Sequence, residues 1–179
     1  MHIGELSDLA RLRSVLSERE AVSVEAVDTL GLLMASDLAP STYQQTPRNC
    51  IPFAYTGGDG VHFSFADIGE GLTNASPIVM TVPMQFERPN LVVGCNLRDF
   101  LALGLRVGYF VLEGLQYNRE KWVRLLEDTS YRPVTNAMEL GTIKAIERAF
   151  DIAPWTNPEQ HLHELEEQFT HLMVSGTQS

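Results

Sequence analysis

The segment Phe53-Ala-Tyr-Thr-Gly-Gly-Asp-Gly-Val-His-Phe-Ser-Phe65 constrains the fold more than any other part of the chain. Two runs of alternating apolar and small or polar residues flank Gly57-Gly-Asp-Gly60. Alternation with a period of two puts every second side chain on one face of a strand, and glycine reaches positive φ without a Cβ clash. The pattern predicts a β-hairpin, with Phe53 and Tyr55 sharing one face and Val61, Phe63 and Phe65 sharing another. Asp59 falls at its exposed tip. Such a hairpin marks the centre of a sheet and carries no catalytic group by itself.

The flanks read as helical. Leu6, Leu9, Leu12 (or Arg13) and Leu16 recur at helical spacing and predict a helix over residues 3–16. Val24, Val27, Leu30 and Met34 predict a second over 22–38, weakened at Gly31. Pro40, Pro47 and Pro52 break regular structure, so 39–51 reads as a loop. After the hairpin, 67–76 reads as another loop. Residues 77–84, bounded by prolines, and 90–95 read as antiparallel neighbouring strands. Asn96 is placed to cap a helix, with Asp99 near its positive end. Short helices follow over 109–116 and 118–128. Asn136 caps 137–150, with Glu139 at the capping-box position, and Asn157-Pro158 opens a last helix striped by Leu162, Leu165, Phe169 and Leu172. Residues 175–179 read as a frayed tail. The whole is an α+β class of fold in one domain over 1–179. It has an antiparallel β-sheet at about 50–96, N-terminal helices, and a C-terminal helical extension over about 106–174.

Composition narrows the function. The chain has 179 residues, 44% of them hydrophobic, enough for a sizeable core, and no apolar run reaches membrane-spanning length. Residues 1–8 lack a basic segment followed by an apolar one, so no signal peptide is expected. Cys50 and Cys95 are two thiols in a chain of ordinary size and read as reduced cysteines of a cytoplasmic protein. The formal net charge is −10. No Lys or Arg falls between Asn49 and Glu87, nor between Ala149 and Ser179, while Asp59, Asp67, Glu70, Glu164, Glu166 and Glu167 do. These stretches repel a phosphate backbone, which disfavours nucleic acid as a direct partner, and they attract basic proteins. Plain solubility explains the same acidity equally well.

Five constellations bear on chemistry. His163, Glu167 and His171 share a helical face, but i and i+8 lie roughly 12 Å apart along the axis, too far for one ion. His161 and His163 point to different faces. Gly57–Gly60 lacks the following helix and Lys of a phosphate loop. Cys50 and His62 flank the hairpin and suggest a thiol–imidazole pair, though no third residue is identifiable to orient it. Asp67 and Glu70 lack the ligand density of an EF-hand. No metal and no cofactor are expected.

The segments Pro40-Ser-Thr-Tyr43, Phe53–Phe65, Pro77-Ile-Val79 and Val93-Gly-Cys-Asn-Leu-Arg-Asp-Phe-Leu101 together resemble the SUKH superfamily, the bacterial immunity proteins related to yeast Smi-type cell-wall regulators. The resemblance covers about residues 20–105. Thr56 stands where the family often has Asn, and about seventy residues beyond Leu105 lie outside the match. The resemblance implies a non-enzymatic cytoplasmic binding protein that neutralises a toxin, often a nuclease, by direct contact. It brings no catalytic residues. Such toxins are usually basic, so Asp59, Asp67 and Glu70, with His62 beside them, are the residues expected to meet the partner. The alternative is a small-molecule-binding or enzymatic domain with a pocket near His62 and Cys50, and a third class is a regulatory scaffold. The sequence leaves the oligomeric state open.

Overall fold

A computed structural model describes residues 3–4, 6–23 and 25–175. The elements run α1 (Ser7–Glu20), α2 (Glu25–Asp28), β1 (Leu33–Met34), β2 (Cys50–Tyr55), β3 (His62–Ala66), β4 (Ile78–Thr81), β5 (Asn90–Gly94), α3 (Leu97–Gly104), α4 (Gly114–Tyr117), α5 (Arg119–Glu127), α6 (Ala137–Phe150) and α7 (Pro158–Phe169). Two 3-10 turns, Phe110–Glu113 and Thr170–Leu172, complete them. The five strands form one antiparallel sheet in the order β1-β2-β3-β4-β5, so the fold is α+β.

The sheet is buried on both faces, which is why β3 and β4 are buried at every position. One face presents Phe53, Phe63, Phe65, Met80 and Val93 to a core closed by α1, α3 and α6. Phe100 from α3 is its hub, with its ring centroid 4.6 Å from Phe63, 5.2 Å from Tyr109 and 6.0 Å from Phe53. Truncating a side chain so placed costs about 3–5 kcal/mol through lost transfer energy and the cavity left behind. The other face presents Cys50, Ala66, Val79 and Val92 to Leu165 and Phe169 of α7. The C-terminal helical extension therefore supplies the second cover of the sheet.

Three expectations need correction. The second helix is short: only Glu25–Asp28 is helical, and β1 occupies part of the stretch. Gly31 decides this. Its φ is +83°, and a Cβ there would collide with the backbone of Phe110, whose N–H, with that of Tyr109, donates to Leu30 O. The first helix is shifted, running over 7–20, while Ile3 instead forms a parallel bridge with Leu72. Tyr55 does not share a face with Phe53. The β2–β3 register slips between Pro52 and Ala54, and this bulge turns Tyr55 to the side of its cross-strand partner His62. The proposed tail at 175–179 lies outside the described residues beyond Ser175.

Of the other local signals the asparagine caps hold, and the capping box does not. Asn96, Asn118, Asn136 and Asn157 each accept a backbone N–H at the start of a helix. Glu139 does not complete a capping box; it accepts from Thr29 Oγ1 and ties α6 to the turn after α2. In the hairpin turn Gly57 and Gly60 have φ of +88° and +71°. A Cβ at Gly60 would also press on the Tyr43 ring, whereas one at Gly58 would meet Phe110 at ordinary contact distance, 3.4 Å. Gly60→Ala should therefore destabilise the protein by about 1–3 kcal/mol, and Gly58→Ala should stay within about 0.5 kcal/mol. Chemical denaturation of the two variants beside the wild type measures this, and equal losses would show that the turn does not need left-handed backbone at Gly60.

Candidate functional site

The structure separates the four residues expected to meet a partner. Asp59 sits at the tip of the β2–β3 turn, exposed, at a φ of +48°. Left-handed backbone is uncommon outside glycine, and Asp is among the residues that tolerate it. The turn around it is closed by Val61 N–H on Gly58 O and Thr56 N–H on Val61 O, both 3.0 Å. Asp67 and Glu70 follow the far end of β3, so they belong to the opposite end of the sheet. Asp67 is committed locally: its Oδ1 accepts the N–H groups of Gly69 and Gly71, each at 2.9 Å, and this folds the loop back on itself. Glu70 is exposed on the same loop.

His62 is not at the surface. It is 0% exposed, because the loop 35–49 lies over its side of the sheet. Tyr43 stacks on the imidazole with centroids 5.5 Å apart. Nδ1–H donates to Gly60 O at 2.7 Å, so in the neutral ring Nε2 accepts from Thr46 Oγ1 at 2.9 Å. Burial lowers its pKa below the ordinary 6.5, against the opposing effect of the Gly60 bond. His62 thus fastens the loop to the turn.

The thiol–imidazole pair does not form. Cys50 pairs with Ala66 at one end of the β2–β3 ladder and His62 with Tyr55 at the other, roughly 16 Å apart at the rise of a strand. Burial pushes the Cys50 thiol up to about 12, and its S–H donates to Met173 Sδ at 3.8 Å. Burial and the Asp99 carboxylate push Cys95 up to about 11. Ser64, on the same face as His62, has its hydroxyl buried with no hydrogen-bond partner among the described residues.

On α7, His163 Nε2 meets Glu167 at 3.2 Å, while His161 Nε2 turns to the Asp99 carboxylate at 2.9 Å. Asp99 also accepts the N–H of Cys95, and its carbonyl accepts from Trp155 Nε1. The cluster fastens α7 to the start of α3. Among the described residues no three His, Cys, Asp or Glu side chains converge as metal ligands, and no helix is long and apolar enough to cross a membrane. A cleft of about 270 Å³ has Arg88, Gln116, Arg119 and Glu166 on its walls, and one of about 400 Å³ lies between α1 and β1. Neither is lined by His62 or Cys50.

One acidic residue was missed by sequence reasoning. Glu113, at the end of the 3-10 turn, lies close enough to Asp59 that burial and then that charge hold its carboxyl above the usual range. The Tyr117 hydroxyl is raised by burial, Glu113 and Asp59 in turn. Neither Asp59 nor Glu113 has an ion-pair partner among the described residues. The available signal was that residues 107–118, like 49–87, contain no Lys or Arg.

Compared with known proteins, the chain matches no family model, no curated protein and no solved structure. The SUKH likeness therefore rests on the sequence motifs alone.

Two outcomes follow from these environments. Because folding depresses the His62 pKa, the unfolded chain binds the proton more tightly. Stability is then full above pH 6.5 and declines as the pH falls from 6.5 towards the folded-state value. The loss of melting temperature between pH 6.5 and 5 should be smaller in His62→Gln than in the wild type; equal slopes would remove His62 as the cause. With both thiols held protonated, the native protein at pH 8 should react slowly with a disulfide reagent, and both should react at once in guanidinium. Rapid native modification would contradict this reading.

Proposed function

We propose that this chain is a non-enzymatic binding protein of the immunity type, which neutralises a basic toxin by direct contact. The observation that carries the reading is the Asp59–Glu113 pair. The 3-10 turn that carries Glu113 packs its Phe110 against Gly58, next to Asp59, so two carboxylates from segments far apart in sequence come within electrostatic reach of each other; Glu113 is partly buried, and neither has an ion-pair partner among the described residues. Like charges so placed repel each other and oppose folding slightly. A Lys or Arg from outside relieves that repulsion, and the neighbouring basic-free stretches speed its approach. A nuclease or other toxin that grips anions presents such side chains, and covering them blocks its activity. The likeness of residues 20–105 to the SUKH immunity proteins supports the same reading, as does the charge of −10. A bacterial, cytoplasmic setting belongs to this proposal.

The test is capture of partners from the source organism on the immobilised protein, followed by mass spectrometry. The expected catch is a basic protein whose association with the wild type slows as salt rises from 50 to 300 mM. Asp59→Asn should slow it further at low salt, whereas Asp67→Asn, whose carboxylate is spent on its own loop, should leave the rate unchanged. A captured partner that is acidic, or a complex indifferent to salt and to Asp59→Asn, would sink the proposal.

A further inference from the structure

The end of the sheet that carries Asp59 also gathers the exposed aromatic residues. The four most exposed Phe, Tyr or Trp side chains among the described residues are Phe86 at 75%, Tyr117 at 53%, Phe110 at 44% and Tyr43 at 39%. All four lie at this end. The antiparallel order places the β2–β3 turn and the β4–β5 loop side by side, because His62 at the start of β3 pairs with Thr81 at the end of β4. Phe86 belongs to that second loop, as does Met84, 58% exposed. Phe110 lies against Gly58 and Tyr43 against Gly60. Gln85 Nε2 donates to Gln116 O at 3.2 Å, which ties the β4–β5 loop to α4 and brings Tyr117 beside it. Tyr117 is in turn within electrostatic reach of Asp59 and Glu113.

Sequence-distant segments thus bring exposed rings to the edge of the fold that carries Asp59 and Glu113, two carboxylates with no ion-pair partner among the described residues. Solvent exposure of large aromatics is unfavourable, and clusters of them mark interaction surfaces. Interfaces are enriched in Tyr, Phe, Met and Arg, and their strongest contacts come from rings that anchor in the partner's surface. The two carboxylates favour a basic partner. Arg88, exposed on the same loop as Phe86, lines the adjoining cleft with Gln85, Gln116 and Arg119, and Arg119 is paired with Glu166 at 2.6 Å.

We propose that this end of the sheet is the docking face, and that it receives an arginine-bearing surface of a basic protein, with a guanidinium between Asp59 and Glu113 flanked by Phe110 and Tyr117. Arginine fits better than lysine. Its planar guanidinium bonds two carboxylate oxygens in a fixed fork and stacks on aromatic faces, while an ammonium is a compact, strongly hydrated charge. This inference rests on the binding reading above and adds to it the face, the anchors and the cation.

The experiment uses the full chain labelled with 15N and a nonapeptide of alternating arginine and glycine as the probe. Amide shifts should move at Gly58, Asp59, Gly60, Phe110, Glu113 and Tyr117, and the isosteric pair Asp59→Asn with Glu113→Gln should weaken binding at least tenfold. Glu159→Gln with Glu167→Gln, which removes the same charge from exposed positions on α7, should weaken it less than twofold. The matching lysine peptide should bind several-fold more weakly. Shifts centred elsewhere, equal losses in the two double variants, or equal binding of the two peptides would overturn the proposal. Partner capture separates the two claims. A basic toxin held equally well by wild type and by Phe110→Ser with Tyr117→Ser would leave the immunity reading standing and discard this face. Failure to capture any basic protein, with the peptide still mapping here, would discard the immunity reading and keep the face.

Discussion

The aromatic cluster on the α3 side of the sheet is the interaction on which the rest depends. Phe100 touches Phe63 from the central strand, Phe53 from the bulge in β2, and Tyr109 from the segment after α3. Tyr109 is itself fully buried, its hydroxyl donating to Leu101 O at 2.9 Å and its N–H to Leu30 O at 2.9 Å. One ring thereby joins the sheet, α3, the 3-10 turn and the Leu30–Gly31 reversal. Glycine makes the close approaches possible: a Cβ at Gly104 would occupy the place of the Tyr109 ring, and one at Gly94 would strike the Phe100 backbone. Dense packing of this kind leaves little freedom for the elements to shift relative to one another.

That rigidity has a consequence for the surface. The 3-10 turn Phe110–Glu113 follows Tyr109 directly, so the anchoring of Tyr109 in the core sets where Phe110 and Glu113 emerge. They emerge beside the β2–β3 turn, whose own position is set by the buried ladder of β2 on β3. His62 fastens the same turn from the opposite face through Gly60 and Thr46. This edge is thus held from both sides of the sheet, and a surface organised before contact loses less entropy on binding.

Much of the fold was legible because its signals are local. The hairpin alternation, the Asn residues before four helices and Pro158 at the first position of α7 each act within a few residues of themselves. The long second helix failed because its competitor is not local. Val27 and Leu30 have helical spacing, but Phe110, about eighty residues on, packs against Gly31 and forces a left-handed turn. The bulge that moves Tyr55 to the His62 face is of the same kind, since it depends on how β2 meets its neighbours and leaves no mark in the alternation itself.

By itself, the sequence determined an α+β chain with a buried hairpin, an acidic surface, and Asp59 at the apex of a glycine turn. Those properties come from periodicity, backbone freedom and charge, which short segments carry alone. Only the tertiary structure decided that Asp59 and Asp67 stand at opposite ends of a strand, that His62 is covered, and that Glu113 and four exposed rings share the Asp59 edge. These are facts of proximity between distant segments. Proximity is set by strand order and core packing, in which each contact depends on all the others being made.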